Sequence, residues 1–204
     1  MILGAGIYQV PLIQKAKEMG LETIVVSIPG NYPGFAFADK VYKLDTRDQE
    51  AVLRAAQRER IDGICTSGTD VAVVTIGYVC EKLGLPGISY KAARTVTDKA
   101  RMKAAFAARG VSGAKFFTAA SSEEAKAAAG HLGYPVVIKR VDSSGSRGIT
   151  LVSEEQGVEK AYEDAMRGSR CPYVLVEECL TGTEIGVDGF VRCLLYTSDA
   201  ADDL

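Results

Sequence analysis

Four helical stretches in this chain end on the same phrase: Met19-Gly20-Leu21, Leu83-Gly84-Leu85, Arg109-Gly110-Val111 and Leu132-Gly133-Tyr134. Glycine enters the left-handed conformation after a last helical turn without a Cβ clash, and the apolar residue behind it folds back on that turn. Pro86 and Pro135 then forbid continuation. Helices this firmly stopped, with short apolar runs between them, predict strands and helices in alternation.

In the first half the runs Met1–Leu3, Thr23–Val26, Val41–Leu44 and Ile61–Thr66 read as strands. Between them lie a helix with Val10, Ile13, Ala16 and Met19 on one side, a helix over Asp48–Glu59, and a helix over Asp70–Leu83. The last carries apolar residues on two faces (Val71, Val74, Tyr78; Val73, Ile76, Cys80, Leu83) and is expected to be well buried. Single strands joined by single helices imply a parallel sheet covered on both sides, a Rossmann-like N-terminal domain. After Gly87 the character changes. Ser89–Val96 and Asp98–Arg109 read as consecutive helices, followed by strand Lys115–Thr118, helix Ser122–Leu132, strands Val136–Arg140 and Ile149–Val152, helix Glu154–Arg167 and strand Tyr173–Glu178. A boundary near residue 97 separates the two patterns, with an α+β domain over 98–192.

Cys193–Leu204, reading CLLYTSDAADDL, breaks off an unfinished strand at Arg192 and resembles the translation of a sequencing-library transposon adapter. Setting it aside lowers Asp+Glu from 26 to 23 against 24 Lys+Arg, so the net charge moves from −2 to about +1. Either value is too small to steer nucleic acid or an anionic membrane. Cys65, Cys80, Cys171 and Cys179 show neither a C-x-x-C pair nor zinc spacing, as expected of reduced thiols in a cytoplasmic protein. No apolar run reaches the roughly 18 residues of a membrane span.

Three segments could carry chemistry. Gly4-Ala5-Gly6 after the first strand suggests a dinucleotide turn, but Gln9 stands where the third glycine belongs, and Val25-Val26-Ser27 offers no acid for a ribose. A plain strand-to-helix turn fits better. The second segment is Val136–Lys139 followed by Arg140 and a small-residue loop, Ser143-Ser144-Gly145-Ser146-Arg147-Gly148. A lysine ending an apolar strand is costly unless it meets an anion, and small residues let backbone N–H groups approach phosphate oxygens. An ordinary hairpin loop with a snorkelling lysine is the alternative. Third, the strand through Val176 closes on Glu177-Glu178, turns at Gly182 and resumes at Glu184, which reads either as solvated acids or as backbone edges for a purine with a carboxylate for ribose. Lys99, at the start of its helix, is a surface lysine or a second cation. His131, the only histidine, sits in a last helical turn, where its cation suits the dipole.

Taken in order, D-K-x-x-M-K (98–103), P-V-V-I-K-R-V-D-S-S-G-S-R-G-I (135–149) and V-E-E-C-L-T-G-T-E-I-G-V-D-G (176–189) resemble the ATP-grasp family. The likeness is to its carbamoyl-phosphate synthase large-chain, biotin carboxylase and amino-acid ligase branches, and covers essentially residues 1–192. It implies a pre-ATP-grasp domain followed by an incomplete ATP-grasp domain, and a ligase that uses ATP and Mg²⁺ to activate a carboxylate for attack by an amine or similar nucleophile. By position, Lys99 and Lys139 would hold the α- and β-phosphates. Ser143, Ser144, Gly145, Ser146 and Gly148 would form the lid, serines replacing some of the family's glycines. Glu177, Glu178 and Leu180 would frame adenine and Glu184 would bind ribose. The family's metal ligands and its catalytic arginine lie downstream of this chain, so the fragment itself is expected to be inactive. Small-molecule substrates are implied, with no nucleic acid or membrane partner and homo-oligomerisation left open. A non-catalytic nucleotide-binding regulatory module is the rival reading, with an NAD-dependent oxidoreductase third.

Overall fold

The computed structural model describes residues 1–143, 148–183, 185–187, 190–192 and 195–197. Strands β1 (Ile2–Leu3), β2 (Ile24–Ser27) and β3 (Lys40–Lys43) pair in parallel in the order β1-β2-β3. Alternation along these strands divides two cores. Leu3, Ile24 and Val26 meet α2 (Gln49–Glu59) and α3 (Val73–Leu83), while Ile2 and Val25 meet Ile13 of α1 (Val10–Glu18) on the opposite face. The sheet is therefore parallel and covered on both sides. Asp48 caps α2, its carboxylate accepting the Ala51 N–H at 2.9 Å.

The expected fourth strand, Ile61–Thr66, shrinks to a single bridge between Ile2 and Cys65. β1 is only two residues long and offers little edge. The chain then turns away, as the Thr66 hydroxyl donates to the Leu3 carbonyl (2.6 Å) and the Gln9 side chain donates to Ser67 O. Val71, expected on a well-buried helix, is 57% exposed because α3 starts only at Val73. α4 (Tyr90–Val96) packs closely on α3 at Gly77, where an added Cβ would lie 2.7 Å from the Ala93 Cβ. The four helix-stop glycines, 20, 84, 110 and 133, all take positive φ, between 64° and 82°.

The second half is an antiparallel sheet in the order β4-β7-β5-β6, from β4 (Phe116–Ala119), β5 (Val136–Arg140), β6 (Ile149–Val152) and β7 (Val174–Glu178). α6 (Ser122–Leu132) and α7 (Val158–Met166) cover one face over Val136, Ile138, Val152, Val174 and Val176. α5 (Lys99–Ala107) meets the other face with Ala100 against Val141 and Leu175 and with the Lys103 side chain, and leaves Ile149 and Leu151 exposed. Phe117 stacks edge-to-face on His131 at 5.2 Å, a packing role for the histidine. The strand expected from Glu184 to Arg192 is β8 (Phe190–Arg192), which pairs with β9 (Leu195–Thr197). A strand thus falls within 193–204, where no pattern was expected.

Candidate functional site

The open face of the second sheet is set by register. Val137 stands opposite Glu177 and Leu151, and Lys139 opposite Leu175 and Ile149. Directly paired residues share a face, so Lys139 and Glu177 stand among Val137, Ile149 and Leu151. Ile149 and Leu151 are 44% and 59% exposed, an apolar floor without a protein cover among the described residues. Sequence reasoning missed all three, although the alternation Ile149-Thr150-Leu151-Val152 puts two apolar residues on the face away from the core.

Lys139 Nζ lies 2.5 Å from Glu177 Oε2, and Lys103 Nζ lies 3.0 Å from Glu177 Oε1. Glu177 is buried, 4% exposed, so it is not a solvated acid at a strand end. Its neighbour points elsewhere: Glu178 Oε1 accepts the Lys115 N–H at 2.8 Å, and its own N–H donates to Lys115 O at 3.0 Å. Of the expected adenine frame, the Glu178 side chain is therefore engaged with the approach to β4. Leu180 is 68% exposed, and Glu184 lies outside the described residues.

Asp98 caps α5 by accepting the Arg101 N–H at 3.0 Å, which places Lys99 at the first helical position. Lys99 is not a free surface lysine. Its ammonium donates to Val141 O at 3.4 Å and to Ser143 O, across 42 and 44 residues of sequence. Burial lowers its pKa first, and repulsion from Lys139 lowers it further against Asp142, Asp70 and Glu177. Lys99 thus sits at the base of the small-residue loop, and Lys139, held on Glu177, is near enough to repel it. Arg140 N–H donates to Gly148 O at 2.8 Å, closing that loop at the strand end. Ser144, Gly145 and Ser146 lie outside the described residues.

Beside Lys99 a cleft of about 820 Å³ opens towards the first half, lined by Asp70, Val71, Val96, Met102 and Ser143 among others. That volume is within the range of small-molecule sites. The Gly4–Gly6 turn is closed in itself. Gly6 N–H donates to Gln9 Oε1 at 2.9 Å, and Gln9 fills the space beside Gly4 that a third glycine would leave to a pyrophosphate. No cluster of three or more acidic, His or Cys side chains fit to hold a metal occurs among the described residues. No helix among them is long and apolar enough to cross a membrane.

Two cations beside an exposed apolar floor can take a flat heteroaromatic ring carrying a chain of phosphates. Residues 97–197 match the family model "Phosphoribosylglycinamide synthetase, ATP-grasp (A) domain". A formate-dependent phosphoribosylglycinamide formyltransferase from Rhodococcus jostii is 32% identical, over 94% of this chain and 51% of the relative. Its counterpart from Methanocaldococcus jannaschii is 31% identical, over 83% of this chain and 44% of the relative. Among solved structures, phosphoribosylglycinamide synthetase from Anaerococcus prevotii superimposes with a TM-score of 0.71 at 30% identity, covering 97% of this chain and 50% of that one. N5-carboxyaminoimidazole synthetase from Staphylococcus aureus, complexed with ADP, shares the fold with a TM-score of 0.72 at 20% identity, over 92% and 48% of the two chains. The chain spans about half the length of the curated relatives it matches. Motif order, open-faced sheet and these matches together place the chain in the ATP-grasp superfamily.

Proposed function

We propose that the chain is the nucleotide-binding front half of an ADP-forming ligase. One observation carries this: Lys99 is tied to the base of a small-residue loop, and Lys139, 40 residues on in sequence and near enough to repel it, stands beside an uncovered apolar floor. ATP supplies the phosphoryl group that makes an acyl phosphate of a substrate carboxylate, with Mg²⁺ neutralising the phosphates, a transfer that depends on positioning and electrostatics. In this reading Lys99 and Lys139 hold the α- and β-phosphates. Ser143, Ser144, Gly145, Ser146 and Gly148 cover them. Val137, Ile149 and Leu151 support the purine, backbone groups at Glu178 and Leu180 meet its edge, with Glu177 beneath, and Glu184 takes the ribose. No Mg²⁺ ligand and no catalytic residue is assigned to this chain. The substrates are a small-molecule carboxylate and an amine or similar nucleophile, and the parent is a cytoplasmic enzyme.

The relatives named above are two formate-dependent phosphoribosylglycinamide formyltransferases, a phosphoribosylglycinamide synthetase and an N5-carboxyaminoimidazole synthetase. No residue of this chain is assigned to the choice among such substrates. The rival is a nucleotide-binding regulatory module without catalysis; the third reading, an NAD-dependent oxidoreductase, is opposed by the Gln9 side chain inside the Gly4–Gly6 turn. Calorimetry on the full-length parent should give tighter binding of Mg-ATP than of NAD. ADP release that requires both a carboxylate and an amine supports the ligase. Mg-ATP binding with no ADP released for any carboxylate favours the regulatory module, and tighter binding of NAD would sink both.

A further inference from the structure

Lys139 is assigned above to a polyphosphate, yet its ammonium is already 2.5 Å from a carboxylate. A lysine and a glutamate alone would form a neutral pair with little attraction for phosphate. The third member of the cluster changes that balance. Lys103, one helical turn beyond Lys99, holds Glu177 from the other side at 3.0 Å. Its side chain is only 17% exposed, its ammonium lies 5.6 Å from the Phe116 ring centroid, and it donates to Ala114 O at 3.4 Å. Lys103 is thus held on the β4 side of Glu177, away from the loop at Ser143.

The contact of Lys103 with Glu177 Oε1 has the distance of an ion pair without the angle of a hydrogen bond. Lys103 therefore acts on Glu177 through charge more than through a directed bond. We propose that Lys103 is a positioning residue of the nucleotide site, neutralising Glu177 so that the charge of Lys139 stays available to the phosphates. This rests on the nucleotide reading given above. Glu177 has a use that explains its presence: it confines the flexible Lys139 stem, whose rotamer freedom a ligand would otherwise have to remove. That confinement would cancel the charge it orients unless a second cation stood behind the carboxylate. Two ammonium groups and one carboxylate leave one net positive charge, and at such separations in a mostly buried site salt screens it little. The repulsion Lys99 feels from Lys139 is consistent with positive charge reaching the loop.

The test compares Mg-ATP with adenosine on the full-length parent in K103M, K103R, E177Q and K103M/E177Q, because adenosine probes the base site without the phosphates. K103M should weaken Mg-ATP on the order of tenfold while adenosine stays within about twofold. K103R should bind both like the wild type. K103M/E177Q should recover Mg-ATP affinity to within about threefold of wild type, since a neutral amide in place of the carboxylate needs no neutralising partner. A purely structural Lys103 gives another pattern: adenosine and Mg-ATP fall together in K103M, and the double variant falls further. Either that pattern, or unchanged Mg-ATP affinity in K103M, overturns the proposal. Should K103M not fold, E177Q alone decides: Mg-ATP must tighten relative to adenosine, and no relative change overturns the idea. A wild-type parent that binds adenosine and Mg-ATP no better than NAD removes the nucleotide reading itself, a result distinct from all of these.

Discussion

Glu177 shows how far a residue's neighbours, and not its type, decide what it does. Sequence places Glu177 and Glu178 side by side at a strand end, where they read alike, either as solvated acids or as part of a purine site. β-alternation sends one under two lysines and the other to the edge of β4. The cost of a charge on an apolar strand singles out Lys139 from sequence alone, but the register that supplies its partner is invisible there. Lys139→Ala should lose a charge-assisted phosphate contact, about 1.5–3 kcal/mol or roughly 10- to 150-fold in Mg-ATP affinity. Sequence alone suggests that folding would be untouched, with no anion left unpaired. The ion pair with Glu177 changes that expectation. Removing one partner of a buried pair can cost about 3–5 kcal/mol, but Lys103 still holds the carboxylate, so about 1–2 kcal/mol is expected. Denaturant melts of Lys139→Ala and of the double variant with Glu177→Gln measure this. A stability loss in the single variant that the second substitution does not reduce would mean that Glu177 is not the cause.

Whole elements were the most legible level, because their ends are written in local chemistry. α6 begins where Ser121 accepts the Glu124 N–H at 3.2 Å and Glu124 reaches back to the Ala120 N–H at 2.7 Å, and it stops at Gly133. β5 and β6 likewise span the residues their apolar runs predict. Within Ile61–Thr66 only a bridge at Cys65 forms, because a strand needs an edge to pair with, which no local signal supplies. The tie between the end of β5 and the turn before β7 was equally hidden. Asp142 there accepts from Arg140 Nε (2.7 Å), Ser169 Oγ (3.0 Å) and Arg170 N–H (2.9 Å). Burial pushes the Asp142 carboxyl up, but these donors outweigh it and hold it below its ordinary value. Asp142→Ala should therefore cost about 1–3 kcal/mol near neutral pH. A depressed folded pKa stabilises fully above the ordinary carboxylate range, roughly 4, and that part disappears as pH falls through the folded value. The gap between wild type and variant should thus narrow on acidification below about pH 4. A gap that is constant, or that widens, would show that the Asp142 charge contributes nothing.

At the scale of the molecule, the four buried clusters divide cleanly. Two draw only on residues before 90, and two only on residues after 98. Each half therefore has its own core, while the cleft beside Lys99 and Asp70 lies where they meet. The sheet pairings end differently. β5 and β7 are flanked on both edges, whereas among the described residues β8 and β9 pair only with each other. A lone two-stranded hairpin is marginally stable in water, and exposed edges invite pairing with another chain. Hydrogen exchange on this 204-residue chain should consequently show its slowest amides in β5 and β7 and an intermediate set in β1–β3. Little protection is expected in β8 and β9. The same preparation should release no ADP with any carboxylate tried, because the cradle proposed here positions phosphates without supplying metal ligands or an acyl-phosphate partner. Strong protection throughout β8 and β9, or ATP hydrolysis coupled to a substrate, would show that the C-terminal end contributes a folded, working part of the site.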